Sequence, residues 1–108
     1  MSKRLELHDI FVGILGTEGQ VETRVYFQPP TGFLMKYPCI VYHRGEIDTR
    51  TAYANNKLYR DMKAYTVTVI DPDPDSLIPD KVQKLRYSHF TRSFTNQNLN
   101  HDVFTIYY

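Results

Sequence analysis

Apolar and polar residues alternate along this chain with two different periods, and the switches between them mark out the elements. Leu7, Ile10, Phe11, Ile14 and Leu15 recur at spacings of three and four, one apolar face of a helix. Ser2 is a candidate cap ahead of them and Gly16 a candidate C-cap behind, so the spacing predicts a helix over 3–15. The period then drops to two. Val21, Thr23, Val25 and Phe27 share one side of Val21–Gln28, with Glu22, Arg24 and Tyr26 on the other, the mark of a half-buried strand. Pro29-Pro30-Thr31-Gly32 stops it and leaves the apolar trio Phe33, Leu34 and Met35 in a connecting segment. Pro38 opens a second short strand, Cys39–Tyr42.

The segment 44–57, RGEIDTRTAYANNK, is polar and weakly periodic, and reads as an extended hairpin arm or a working surface loop. A third strand region spans Leu58–Asp71, with β-branched side chains at every position from Thr66 to Ile70. Apolar residues on both of its faces near Ile70 predict a central place in the sheet. Asp71-Pro72-Asp73-Pro74 ends it, because each proline removes a ladder donor. Asp75 or Ser76 is the expected cap of a second helix, with Pro79 in its first turn and Ile78, Val82 and Leu85 as its apolar stripe. Strands at His89–Phe94 and Asp102–Tyr108 follow, around Thr95–Asn100. The order α-β-β-β-α-β-β, with no crossover helix between most strands, predicts a single α+β domain over 1–108. It is a two-layer sandwich, a mostly antiparallel sheet of about five strands with both helices on one face.

Composition narrows the function classes. At 108 residues the chain suits one core. Thirteen Lys/Arg against twelve Asp/Glu give a net charge of +1, so no global field draws it to nucleic acid or an anionic membrane. No apolar run approaches the roughly 20 residues of a membrane span, and MSKRLELHDI lacks the apolar core of a signal peptide. The expectation is a soluble protein made in a cytoplasm. The lone Cys39 has no partner for an internal disulfide and reads as a reduced core thiol. Nine Tyr and six Phe with no Trp suit sheet faces and protein interfaces.

Recognisable chemistry is sparse. Asp71, Asp73 and Asp75 match the first three ligand positions of a calcium loop. Ser76 then stands where the loop needs Gly, and Val82 where it needs Glu, so the cluster reads as a structural acidic turn. His8, His43, His89 and His101 fall on four separate elements without metal-site spacing. Neither a nucleophile–base pair nor a glycine-rich phosphate loop is visible. The reading is therefore a non-enzyme with no catalytic or metal residue and no cofactor. What remains unusual is the Arg44–Arg60 arm with Tyr42, Tyr53, Tyr59 and Tyr65 around it, a pattern suited to oligomer contacts.

Three stretches carry a family resemblance: YPCIVYHRGEIDTRTAYANNKLY (37–59), AYTVTVIDPDPDSLIPDKVQKL (64–85) and FTRSFTNQNLNHDVFTIYY (90–108). They resemble tail terminator (head–tail joining) proteins of long-tailed phages and prophages. The resemblance implies a virion protein assembled in the host cytoplasm that closes into a ring, a hexamer in this family. Such a ring caps the last ring of tail-tube protein, stops its polymerisation, meets the head connector or neck protein, and lets DNA pass without sequence-specific binding. On this reading Arg50, Tyr53, Asn55, Asn56, Lys57 and Tyr59 of the arm are candidate interface residues, and Phe33, Leu34 and Met35 form a second contact. The alternatives are a head-completion or neck protein on the portal side, and, from another class, a small enzyme or ligand-binding α+β domain.

Overall fold

The computed structural model of the chain describes residues 3–45 and 62–108. Seven elements follow in order: α1 (Lys3–Leu15), β1 (Val25–Phe27), β2 (Cys39–Arg44), β3 (Ala64–Asp71), α2 (Ile78–Gln83), β4 (Ser88–Asn96) and β5 (Leu99–Tyr107). They form an α+β domain with a five-stranded open sheet in the order β1-β2-β3-β5-β4. Every neighbouring pair is antiparallel except β1 and β2, which run parallel. The β-branched run of β3 occupies the middle of the sheet, as its two-sided apolar content predicts.

Helix α1 ends where its sequence says it should. Gly16 takes the left-handed conformation at φ 71° that its missing Cβ permits, and its N–H and that of Thr17 both reach the Val12 carbonyl. The Ser2 cap expected at the other end lies outside the described residues. Leu7, Phe11 and Val12 point into the core and meet Val82 of α2 over one sheet face. That face is built by Ile40 and Tyr42, by Tyr65, Val67 and Val69, and by Phe104 and Ile106, alternate residues of three strands. Burying each such side chain stabilises the fold by about 1.5–3 kcal/mol before entropy is set against it. Both helices therefore cover the same face.

Tyr42 is the hub. It is fully buried, with the rings of Phe27, Phe11 and Tyr65 at centroid distances of 4.9, 5.2 and 6.0 Å. Its hydroxyl lies 2.7 Å from His8 Nδ1 and accepts a longer hydrogen bond, 3.3 Å, from Arg4. The Arg4 guanidinium in turn sits 4.4 Å from the centre of the Phe27 ring.

The structure corrects three local expectations. The first strand is three residues long, not eight, and Val21 is fully solvent-exposed rather than inward-facing. Its partner β2 begins only at Cys39, and the Ile40 N–H pairs with the Arg24 carbonyl, so among the described residues no strand pairs with residues 21–23. That stretch is instead tied to the end of α1 by the buried Thr17 hydroxyl, which donates to the Thr23 carbonyl at 2.6 Å, and Arg24 turns at φ 60°. The last two strands are longer than expected, because a two-residue turn with positive φ at Gln97 and Asn98 replaces the broad connection over 95–100. Finally, Leu77 holds the cap position of α2 without a side-chain bond, while the Ser76 hydroxyl takes the Ile78 N–H from one residue earlier.

Candidate protein-interaction surfaces

Several of the described residues of types able to carry chemistry are engaged locally. Asp71 accepts the Asp73 N–H at 2.8 Å and Asp73 accepts the Asp75 N–H at 2.9 Å, two successive Asx turns that order the acidic segment. Cys39 is fully buried, and desolvation, helped by the Asp71 charge and opposed by Arg24, pushes its thiol up to about 12. His8 packs beside Tyr42, and His43 lies 3.1 Å from the Arg44 carbonyl. His89 lies edge-on to the Tyr107 ring, and His101 stacks flat on Phe94 at 4.6 Å. Among the described residues, no three His, Cys, Asp or Glu gather into a group able to hold a metal ion.

What the described surface offers instead is contact area of three kinds. The first is the loop between β1 and β2. Gly32 turns at φ 83° and the Phe33 N–H returns to the Pro30 carbonyl, so the chain presents Phe33 and Leu34 at a bend. Phe33 lies edge-on to Tyr26 at 5.2 Å. The Tyr26 hydroxyl accepts the Lys36 N–H and donates to Glu22, and Lys36 pairs with Glu22 at 3.0 Å. The Lys36 hydrogen bond, ahead of lesser charge effects, holds the Glu22 carboxyl below its ordinary range. This loop is therefore pinned at its base while its tip is apolar and open: Leu34 is 90% exposed and Phe33 46%, with Met35 half-buried. Of the candidate interface residues named from the sequence, these three are described; Arg50, Tyr53, Asn55, Asn56, Lys57 and Tyr59 lie outside the described residues.

The second is strand β4, which closes one side of the sheet and is exposed at every position after Ser88. An edge of nine residues is a template for another strand unless charge or distortion blunts it. Arg92 is its one Lys, Arg, Asp or Glu, and a bulge interrupts its register with β5 between Phe90 and Arg92. The bulge moves its two aromatics to opposite faces. Phe90 faces the helices against Phe104 at 5.5 Å, while Phe94 lies on the other face between His101 and the Arg92 guanidinium. A spacing of four residues would place Phe90 and Phe94 on one face, so sequence periodicity could not reveal this arrangement.

The third is an apolar groove of about 480 Å³ between α1, the segment after α2 and the end of β5. Leu7 and Ile106, both buried, lie at its base, and Ile10, Leu85 and Tyr108 line it above. Lys3, Glu6 and Arg86 set charges of both signs on its rim. Ile10 and Leu85 carry the helical periodicity visible in the sequence; that both border a groove, Leu85 while also packing against the core, follows from the tertiary fold.

These surfaces define a small α+β domain whose described exterior is suited to protein contacts. No protein-family model matches the chain, and neither a curated protein nor a solved structure matches it.

Proposed function

We propose that this chain is a structural protein of a long-tailed phage or prophage, a tail terminator whose copies form a ring on the end of the tail tube. The ring stops tube polymerisation and presents a surface to the head's connector, with DNA passing through its centre. The observation that carries the reading is the preorganised apolar loop: an ordered bend presents Leu34 and Phe33 to solvent, an arrangement ready for assembly. The resemblance over residues 37–108 supplies the class of assembly. The edge strand β4 supports it as a second surface open to a neighbour.

The test is electron microscopy of tails assembled with and without the protein. Overlong tails in its absence are expected. Tails of normal length that fail to join heads would replace the terminator role by the neck role. The groove favours one reading of another class, a ligand-binding domain, since its volume falls within the roughly 300–1,000 Å³ of small-molecule sites. Native mass spectrometry of protein purified from its host distinguishes it, because a resident ligand adds a discrete mass.

A further inference from the structure

We infer that the outer edge of β4 pairs with the same edge of a second copy, antiparallel about a two-fold axis between Thr91 and Arg92, to make one continuous sheet across the dimer. Among the described residues β4 has a strand on one side only, and every position after Ser88 is exposed. The opposite edge of the sheet, β1, is three residues long. A strand edge is recognised by another extended backbone, so the fit is set by where its N–H and C=O groups point.

The bulge decides that fit. Along an antiparallel pair, residues alternate between those whose backbone groups face the partner strand and those whose groups face away. Tyr87 faces β5, since its carbonyl accepts the Tyr107 N–H, so Ser88 and Phe90 turn outward. At the other end the two-residue turn at Gln97 and Asn98 closes on the Asn96–Leu99 pair, whose groups face each other, so Ser93 and Thr95 turn outward. The residue inserted at the bulge thus spaces the outward positions by two, three and two. A regular strand, spaced by two throughout, matches one side of the bulge and misses the other. A second β4 matches all four positions, because its spacing reads the same reversed. Ser88 then meets Thr95 of the second copy, and Phe90 meets its Ser93.

The side chains agree with that register. His89 falls opposite Phe94 of the second copy, and both lie on the face away from the helices, His89 against Tyr107 and Phe94 against His101. Pairing joins these two ring contacts into one aromatic row across the seam. Phe90 is 51% exposed and Phe94 40%, so both keep apolar surface for a neighbour to cover. Arg92 is the edge's one Lys, Arg, Asp or Glu. Its guanidinium lies 5.2 Å from the centre of the Phe94 ring, directed along the strand away from the axis, so the two copies of Arg92 diverge. The contact uses the same patch on both copies and ends at the dimer. It goes beyond the ring reading and does not depend on it.

Sedimentation equilibrium of the full chain tests it, with reversible dimers expected. Ser93→Pro removes an outward N–H that the β4–β5 ladder does not use. It should raise the dimer dissociation constant about tenfold, because the two-fold repeats each lost hydrogen bond, and leave the far-ultraviolet circular dichroism spectrum unchanged. A parent chain that stays monomeric, or an unchanged constant in a folded Ser93→Pro, would overturn the pairing. Should Ser93→Pro fold poorly, His89→Cys with Phe94→Cys in the same chain, oxidised by diamide, reads the register directly. Reducible dimers and nothing larger are expected from the double variant, and none from either single variant. Cys39 is buried and does not compete. Absence of the covalent dimer, or a ladder extending beyond it, would overturn the pairing. So would a chain that is monomeric alone and engages β4 only when tail-tube protein is added. Dimers together with tails of unaltered length would uphold the pairing and refute tail capping. Tails capped by a chain that is monomeric in solution would refute the pairing and leave capping intact.

Discussion

Replacing Tyr42 tests the packing account at its centre. Tyr42→Phe keeps the ring and its contacts with Phe11, Phe27 and Tyr65 and removes only the hydroxyl. The two groups left behind, His8 and Arg4, are half-buried, so water can replace the lost partner. The expected cost is that of one hydrogen bond, about 0.5–1.5 kcal/mol. Tyr42→Ala empties the site. For a fully buried aromatic at the junction of α1, β1, β2 and β3, the cost is about 3–5 kcal/mol, a large part of the roughly 5–15 kcal/mol that holds a domain folded. Urea unfolding followed by far-ultraviolet circular dichroism measures both variants against the parent, with unchanged m-values confirming that the change lies in stability. A loss above about 3 kcal/mol for Tyr42→Phe would mean that the polar network, not the ring, organises the core. A loss below about 1 kcal/mol for Tyr42→Ala would mean that Tyr42 is not the hub.

Three further predictions bear on other parts of the fold. Burial, ahead of the Arg4 charge and against the opposing charge of Asp9, lowers the His8 pKa below its ordinary 6.5. The unfolded chain therefore binds the proton more readily, and the His8 contribution is present above about pH 6.5 and is lost as pH falls below it towards the folded-state value. Urea midpoints should drop between pH 7 and pH 5 by less in His8→Gln than in the parent. Cys39, fully buried with its thiol pushed up to about 12, should resist iodoacetamide at pH 8 in the folded protein and react in urea, as mass spectrometry will show. A Cβ added at Gly45 would sit 2.6 Å from the Thr66 hydroxyl and 3.3 Å from the Thr66 nitrogen, so Gly45→Ala should cost about 1–3 kcal/mol. Thr66→Ala in the same chain should recover part of that loss, and additivity of the two changes would argue against the clash.

The elements most legible in the sequence are those whose periodicity coincides with burial. Helix α1 begins and ends at Lys3 and Leu15, where the stripe and Gly16 place it, and the β-branched run ending at Ile70 is the middle strand. The failures occur where a distant residue decides. Val21 has the right alternation for a strand, but β2 starts too late to pair with it. The Gln97–Asn98 turn lacks the glycine that marks most tight hairpins. For the candidate surfaces, Phe33, Leu34 and Met35 were visible as apolar residues in a proline-glycine connection, whereas their anchorage by Tyr26, Glu22 and Lys36 depends on how the loop crosses back to β2. The groove was not legible at all: its lining comes from α1, the segment after α2 and the end of β5, residues up to about a hundred positions apart in the chain.

The central claim is that copies of this chain cap a growing tail tube. Its most direct measurement is the length distribution of tails assembled from purified tail-tube protein, with and without this protein, read by negative-stain electron microscopy. The account predicts uncontrolled, overlong tubes without it and tubes ending in a ring with it. Tubes of the same length distribution in both samples, with no ring at their ends, would contradict it.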